Sequence, residues 1–134
     1  MKARRMKTTN YNVSAFIESI VEVVNSVLVC FYDRAPDTES YPFAVLSGVT
    51  ASDLAAGDLI MFDIDIWHDD KQPDATAAVE GYCDALRRKL HNRIISREGA
   101  FAGHIGYENR DTSDDKETDL IHRRLSFSAR IFYL

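Results

Sequence analysis

Apolar and polar positions alternate most cleanly in two stretches, and the rest of the chain is ordered around them. Leu59 to His68 has the length and the Ile, Phe and Trp content of a central strand. Period two sends Phe62, Ile64, Ile66 and His68 to one face and Met61, Asp63, Asp65, Trp67 and Asp69 to the other. In Leu120–Leu134, Leu125, Phe127, Ala129, Ile131 and Tyr133 share one face, and His122, Arg124, Ser126, Ser128 and Arg130 share the opposite one. Two segments carry helical spacing instead. Val13, Phe16, Ile17, Ile20, Val24, Val27 and Leu28 recur at steps of three and four, with Asn10 or Asn12 available as the cap. Ala75, Ala78, Val79, Tyr82, Cys83, Leu86 and Leu90 mark a second helix over about 74–90, with Pro73 suited to its first position and Arg87, Arg88 and Lys89 at its negative end.

The remaining elements are weaker. Val27–Tyr32 reads as a short strand or as the last turns of the first helix. Asp33–Ser40 is a loop by composition, and Pro42 stands at the entrance of a strand over Ala44–Val49. Ser47–Gly57 reads as an interrupted, flexible connection. Ala100–Tyr107, with Gly103 and Gly106, reads as a weak or bulged strand, and Asp111–Asp119 as a polar loop tip that joins the last two strands into a long hairpin. The order predicts an α+β fold: one mostly antiparallel, or mixed, β-sheet with two main helices packed on one face. Residues 1–12 are expected to form a basic flexible arm and residues 13–134 one α+β domain.

Composition narrows the function. The chain has 134 residues, enough for one core, and its net charge of −5 argues against a nucleic-acid binder held by a general basic field. The basic arm stays open as a local contact. No apolar run approaches a membrane span, and Glu18 and Glu22 break the apolar stretch after the basic start, against a secretory signal. Cys30 and Cys83 stand alone, without a CxxC spacing, and read as buried, reduced thiols of a cytoplasmic protein.

The only candidate chemistry lies on the polar face of the central strand. Asp63 and Asp65 share that face, and with His68, Asp69 and Asp70 they compose the one acidic constellation that a divalent cation would seek. His68, however, falls on the opposite face, Asp69 and Asp70 belong to a turn, and no phosphate loop or nucleophile elbow accompanies them. Pairing with Arg124 and Arg130 on an adjacent strand is the competing reading of the carboxylates. Trp67 beside them either closes the end of the core or serves as an interface anchor.

Three stretches carry a resemblance. Tyr41-Pro42-Phe43-Ala44-Val45-Leu46, then Phe62-Asp63-Ile64-Asp65-Ile66-Trp67, then, after a helix, Arg123 to Tyr133, together resemble the tail-completion and tail-terminator proteins of tailed bacteriophages and prophages. The likeness runs from about Val13 to Leu134. It implies a structural subunit, without catalytic residues, metal or cofactor, that forms a homohexameric ring in the tail or neck of the virion. Such a ring caps the tail tube and offers the joining surface for the head, so the implied partners are further copies, the tail-tube protein and a head-completion or neck protein. Direct nucleic-acid contact is then confined to the arm or the ring lumen. The basic arm and the long Ser47–Gly57 segment depart from the family pattern. Trp67, Asp63, Asp65, Arg124 and Arg130 are the expected subunit interface. A small metal-dependent enzyme or nuclease on the Asp63/Asp65 strand, or a monomeric α+β adaptor, are the alternatives.

Overall fold

A computed structural model describes residues 11–114 and 117–134. The helix α1 covers Val13–Asn25 and starts where Asn12 accepts from the backbone N–H of Ala15. Three strands follow: β1 (Cys30–Tyr32), β2 (Phe43–Leu54) and β3 (Gly57–Asp69). The helix α2 (Ala75–Leu90) leads to β4 (Ile94–Arg97), β5 (Phe101–Thr112) and β6 (Leu120–Tyr133). Residues 1–10 of the expected arm lie outside the described residues. Tyr11, next along, meets the Tyr133 ring edge-on at 5.4 Å.

One six-stranded sheet runs in the order β1-β2-β3-β6-β5-β4. All neighbours are antiparallel except β1 and β2, so the sheet is mixed. Both helices lie on the face predicted from the alternation. Phe16, Ile20 and Val24 of α1, and Val79, Cys83, Leu86 and Leu90 of α2, are buried with Ile60, Phe62, Ile64, Ile66, Leu125, Phe127 and Ile131 in one core. Phe62 stacks on Phe127, and Phe16 meets Phe62 and Phe101 edge-on. α1 touches β1 and β2 at one edge and β4 at the other, so the sheet curls around it. α2 is tied to the β5–β6 hairpin by ions as well as packing: Arg110 reaches Glu80 and Asp84, and the buried Arg123 reaches Glu80 and Asp114.

Four elements differ from the sequence reading. Ser47–Gly57 is not an open connection: β2 continues to Leu54 and pairs with β3 as far as the Leu54–Gly57 register. The ladder holds a segment whose small side chains signal nothing, and a bulge between Ser47 and Thr50 accommodates it. Gly48 serves that bulge at φ 61°, where a Cβ would press on the Asp63 carboxylate. The expected loop tip is shorter than 111–119, because β5 runs to Thr112. Pro73 lies ahead of the cap Asp74 rather than inside α2. β4, four residues long, went unread.

Candidate functional site

The face of the sheet opposite the helices carries the residues singled out in the sequence. Register places them. Asp65 pairs with Val45 on one side and Arg124 on the other, Trp67 with Phe43 and His122, and Asp63 with Ser47 and Ser126. Side chains at directly opposed positions share a face, so these residues form a block across three strands.

Asp65 is its centre. Although no helix covers this face, Asp65 is only 5% exposed and His122 only 6%. Asp65 Oδ1 accepts from Arg124 Nε at 2.8 Å and lies 2.6 Å from His122 Nε2, while Oδ2 accepts from Ser47 Oγ at 2.8 Å. Burial opposes the charge on Asp65, but the hydrogen bonds from His122, Arg124 and Ser47 outweigh it and hold the carboxyl below the ordinary aspartate range. An ionised carboxylate only accepts, so Nε2 of His122 carries the proton. Trp67 lies flat on His122 and closes the top of the arrangement, with centroids 4.0 Å apart.

Of the two expected arginine pairings, Arg124 makes one and Arg130 makes none. Asp63 accepts instead from Ser126 Oγ at 2.7 Å. Arg130, exposed, stands opposite Leu59 and His104, near the other end of β6 from Trp67. With both oxygens of Asp65 engaged, the cluster is a satisfied polar network rather than an open ligand set. No group of three or more His, Cys, Asp or Glu arranged to hold a metal occurs among the described residues. His68 packs on the helix side, as its parity required, and its Nδ1 accepts from the N–H of Asp69.

Two parts of the site were missed in the sequence. His122 was assigned to the polar face but not to Asp65. The signal was its position two residues before Arg124, although only the hairpin register shows which carboxylate it meets. The second part is the Asp33–Ser40 loop. It walls a cleft of about 480 Å³ whose floor is Phe43, Val45 and Trp67 and whose rim carries Asp33, Asp37 and Glu39. Tyr41 stacks on Phe43 at the mouth, centroids 5.1 Å apart.

Cys30 and Cys83 are both free and buried, and burial pushes each thiol up to about 11. Among the described residues no helix is long and apolar enough to cross a membrane.

Residues 16–131 match the family model described as "Tail completion protein gp17". No curated protein matches the chain. A chain in the solved structure "Virion of native gene transfer agent (GTA) particle" superposes with a TM-score of 0.70 at 15% identity, over 92% of this chain and 99% of that one. At that identity the likeness is one of fold.

Proposed function

The chain belongs to the tail completion protein gp17 family, and on that premise we propose that it acts as a tail terminator, a subunit that closes into a homohexameric ring capping the tail tube. It is a structural protein of the virion tail. In this reading the ring meets the tail-tube protein on one side and a head-completion or neck protein on the other.

The observation that supports ring formation is the sheet face without a helical layer. It carries a buried, fully paired carboxylate under a half-buried tryptophan, with the exposed apolar side chains Met61 and Phe132 towards its other end. A rigid polar core within an aromatic surround is the kind of surface that anchors a protein contact. We assign the interface to Trp67, Arg124 and Arg130, with Asp63 and Asp65 holding the strands and the Arg124 guanidinium in place from beneath. Trp67 of β3 lies opposite His122 near the start of β6 and Arg130 lies towards the end of β6, so a neighbour that meets both covers much of the face. Closed rings need heterologous contacts, in which this face meets a different surface of the next copy.

The test is sedimentation of the wild type and of the Trp67→Ala, Arg130→Ala double variant, paired with tail completion in phage lacking the wild-type chain. The wild type sediments as a ring, and the variant stays folded, sediments as a monomer and leaves tails uncapped. Normal rings and completed tails from the variant would remove this face from the interface.

A further inference from the structure

We propose that the aromatic cleft under the Asp33–Ser40 loop receives the basic N-terminal segment, residues 1–10, of a neighbouring copy. The inference rests on the ring reading above and names the contact that links one subunit to the next.

The cleft is a built concavity of the size that takes a short extended segment. Its floor, Phe43, Val45 and Trp67, is apolar and rigid: Phe43 is held between Tyr41 and Phe31, and Trp67 is stacked on His122. Its rim carries Asp33, Asp37 and Glu39 against one cation, Arg34. None of the three carboxylates forms an ion pair with a described residue, whereas Asp65 at the bottom is already neutralised by its own arginine. An unpaired acidic rim around an aromatic floor calls for a ligand with several positive charges and some apolar surface. Residues 1–10, MKARRMKTTN, bring Lys2, Arg4, Arg5 and Lys7 together with Met1 and Met6. They hold four Lys/Arg and no acidic residue within ten positions of a chain whose net charge is −5.

Reach decides between a subunit's own segment and a neighbour's. Residue 11 lies on the helix side of the sheet, against Tyr133 at the C-terminal end of β6. The cleft lies on the opposite side, beside Trp67, whose register partner His122 is near the start of β6. Along the strand, Tyr133 to Ser126, level with Ser47 at the near wall of the cleft, spans about 23 Å at ~3.3 Å per residue, and Tyr133 to His122, level with Trp67, about 36 Å. Ten residues fully extended cover at most about 33–36 Å. A segment that also had to pass around the sheet would have no residues left to fill its own cleft, so the occupant comes from another copy. Donor and acceptor are then different surfaces, which is the heterologous contact a ring requires.

The experiment mixes full-length chain made with natural nitrogen and full-length chain labelled with ¹⁵N, then couples amines to carboxylates with a carbodiimide and analyses the linked peptides by mass. It is run on the associated protein in solution and on tails assembled from the mixture. The expected result is mixed-isotope links from Lys2 or Lys7 to Asp33, Asp37 or Glu39. Asp37→Lys with Glu39→Lys raises the concentration needed for association about tenfold or more, and adding Arg4→Glu with Arg5→Glu to the same chain recovers it. Links confined to one isotope, links from the segment to other carboxylates only, or no links in either sample would each overturn the proposal. The size of the linked species reads the ring separately. Rings without these links sustain the terminator reading and sink this contact; mixed-isotope links in a species other than a ring sustain the contact and sink the ring.

Discussion

Trp67 lies parallel to the His122 imidazole, 12° from coplanar, and His122 presents its Nε2 to Asp65 at 2.6 Å. The two strands beside β3 thus supply the partners, Ser47 from β2 and His122 and Arg124 from β6, to a carboxylate that is only 5% exposed on a face without helices. The arrangement explains how an acidic residue at the middle of the sheet stays charged, and it adds side-chain bonds to the ladders that join β3 to its two neighbours.

Acid should therefore weaken the fold through Asp65. Its carboxyl titrates below the ordinary 3.8, so the stabilisation it supplies is complete above that value and is lost as pH falls through the lower folded value. Denaturant melts should show stability dropping below about pH 4. Asp65→Asn should lower stability at pH 7 and flatten that acid limb. An unchanged limb would mean that the network does not carry the acid sensitivity.

Phe127→Ala should cost about 3–5 kcal/mol. Phe127 is 1% exposed, stacks on Phe62 at 5.4 Å and meets Tyr107 edge-on at 5.7 Å, so its removal opens the centre of the core. Urea melts read the loss directly; a change under about 1 kcal/mol would contradict the assigned face of β6.

Gly57→Ala should be more damaging than its position beside a turn suggests. A Cβ there overlaps the backbone carbonyl of Ile131, and a main-chain atom of a central strand has little freedom to move aside. The expected cost is about 1–3 kcal/mol. Gly81→Ala, whose added methyl meets nothing, should stabilise α2 by up to about 1 kcal/mol. Thermal melts of the pair check both signs.

The two thiols should be inert in the folded chain. Burial raises both to about 11 from an ordinary 9.0, and only the thiolate reacts. Alkylation at pH 8 should proceed about a hundredfold more slowly than in urea. Equal rates in the two conditions would contradict the burial of both side chains.

How far the sequence reached follows from what each segment encodes. β3 and β6 were legible because one of their faces is buried and the other is not, which writes period two into Phe62, Ile64 and Ile66 and into Leu125, Phe127 and Ala129. Both helices were legible from their buried stripes. The second half of β2 was not: Thr50 to Leu54 are exposed, so only the ladder to β3 defines the strand, and Ala55-Ala56 is no hairpin signature. β4 is too short to show a period. The polar face was readable as a set of residues but not as partners, because Asp65 meets Arg124 and His122 through the register of strands more than fifty residues apart. The loop Asp33–Ser40 read as a connection, and only the fold shows that its carboxylates stand above Trp67.

The central claim is that the helix-free face of this tail protein is covered by another chain in the virion. Hydroxyl-radical footprinting of purified tails against the isolated subunit tests it most directly, read at Tyr41, Met61 and Trp67, with the exposed residues outside the face as internal reference. Strong protection of Trp67 and Tyr41 in the tail, with Met61 following, is the predicted result. Equal oxidation of all three in tail and free subunit would contradict it.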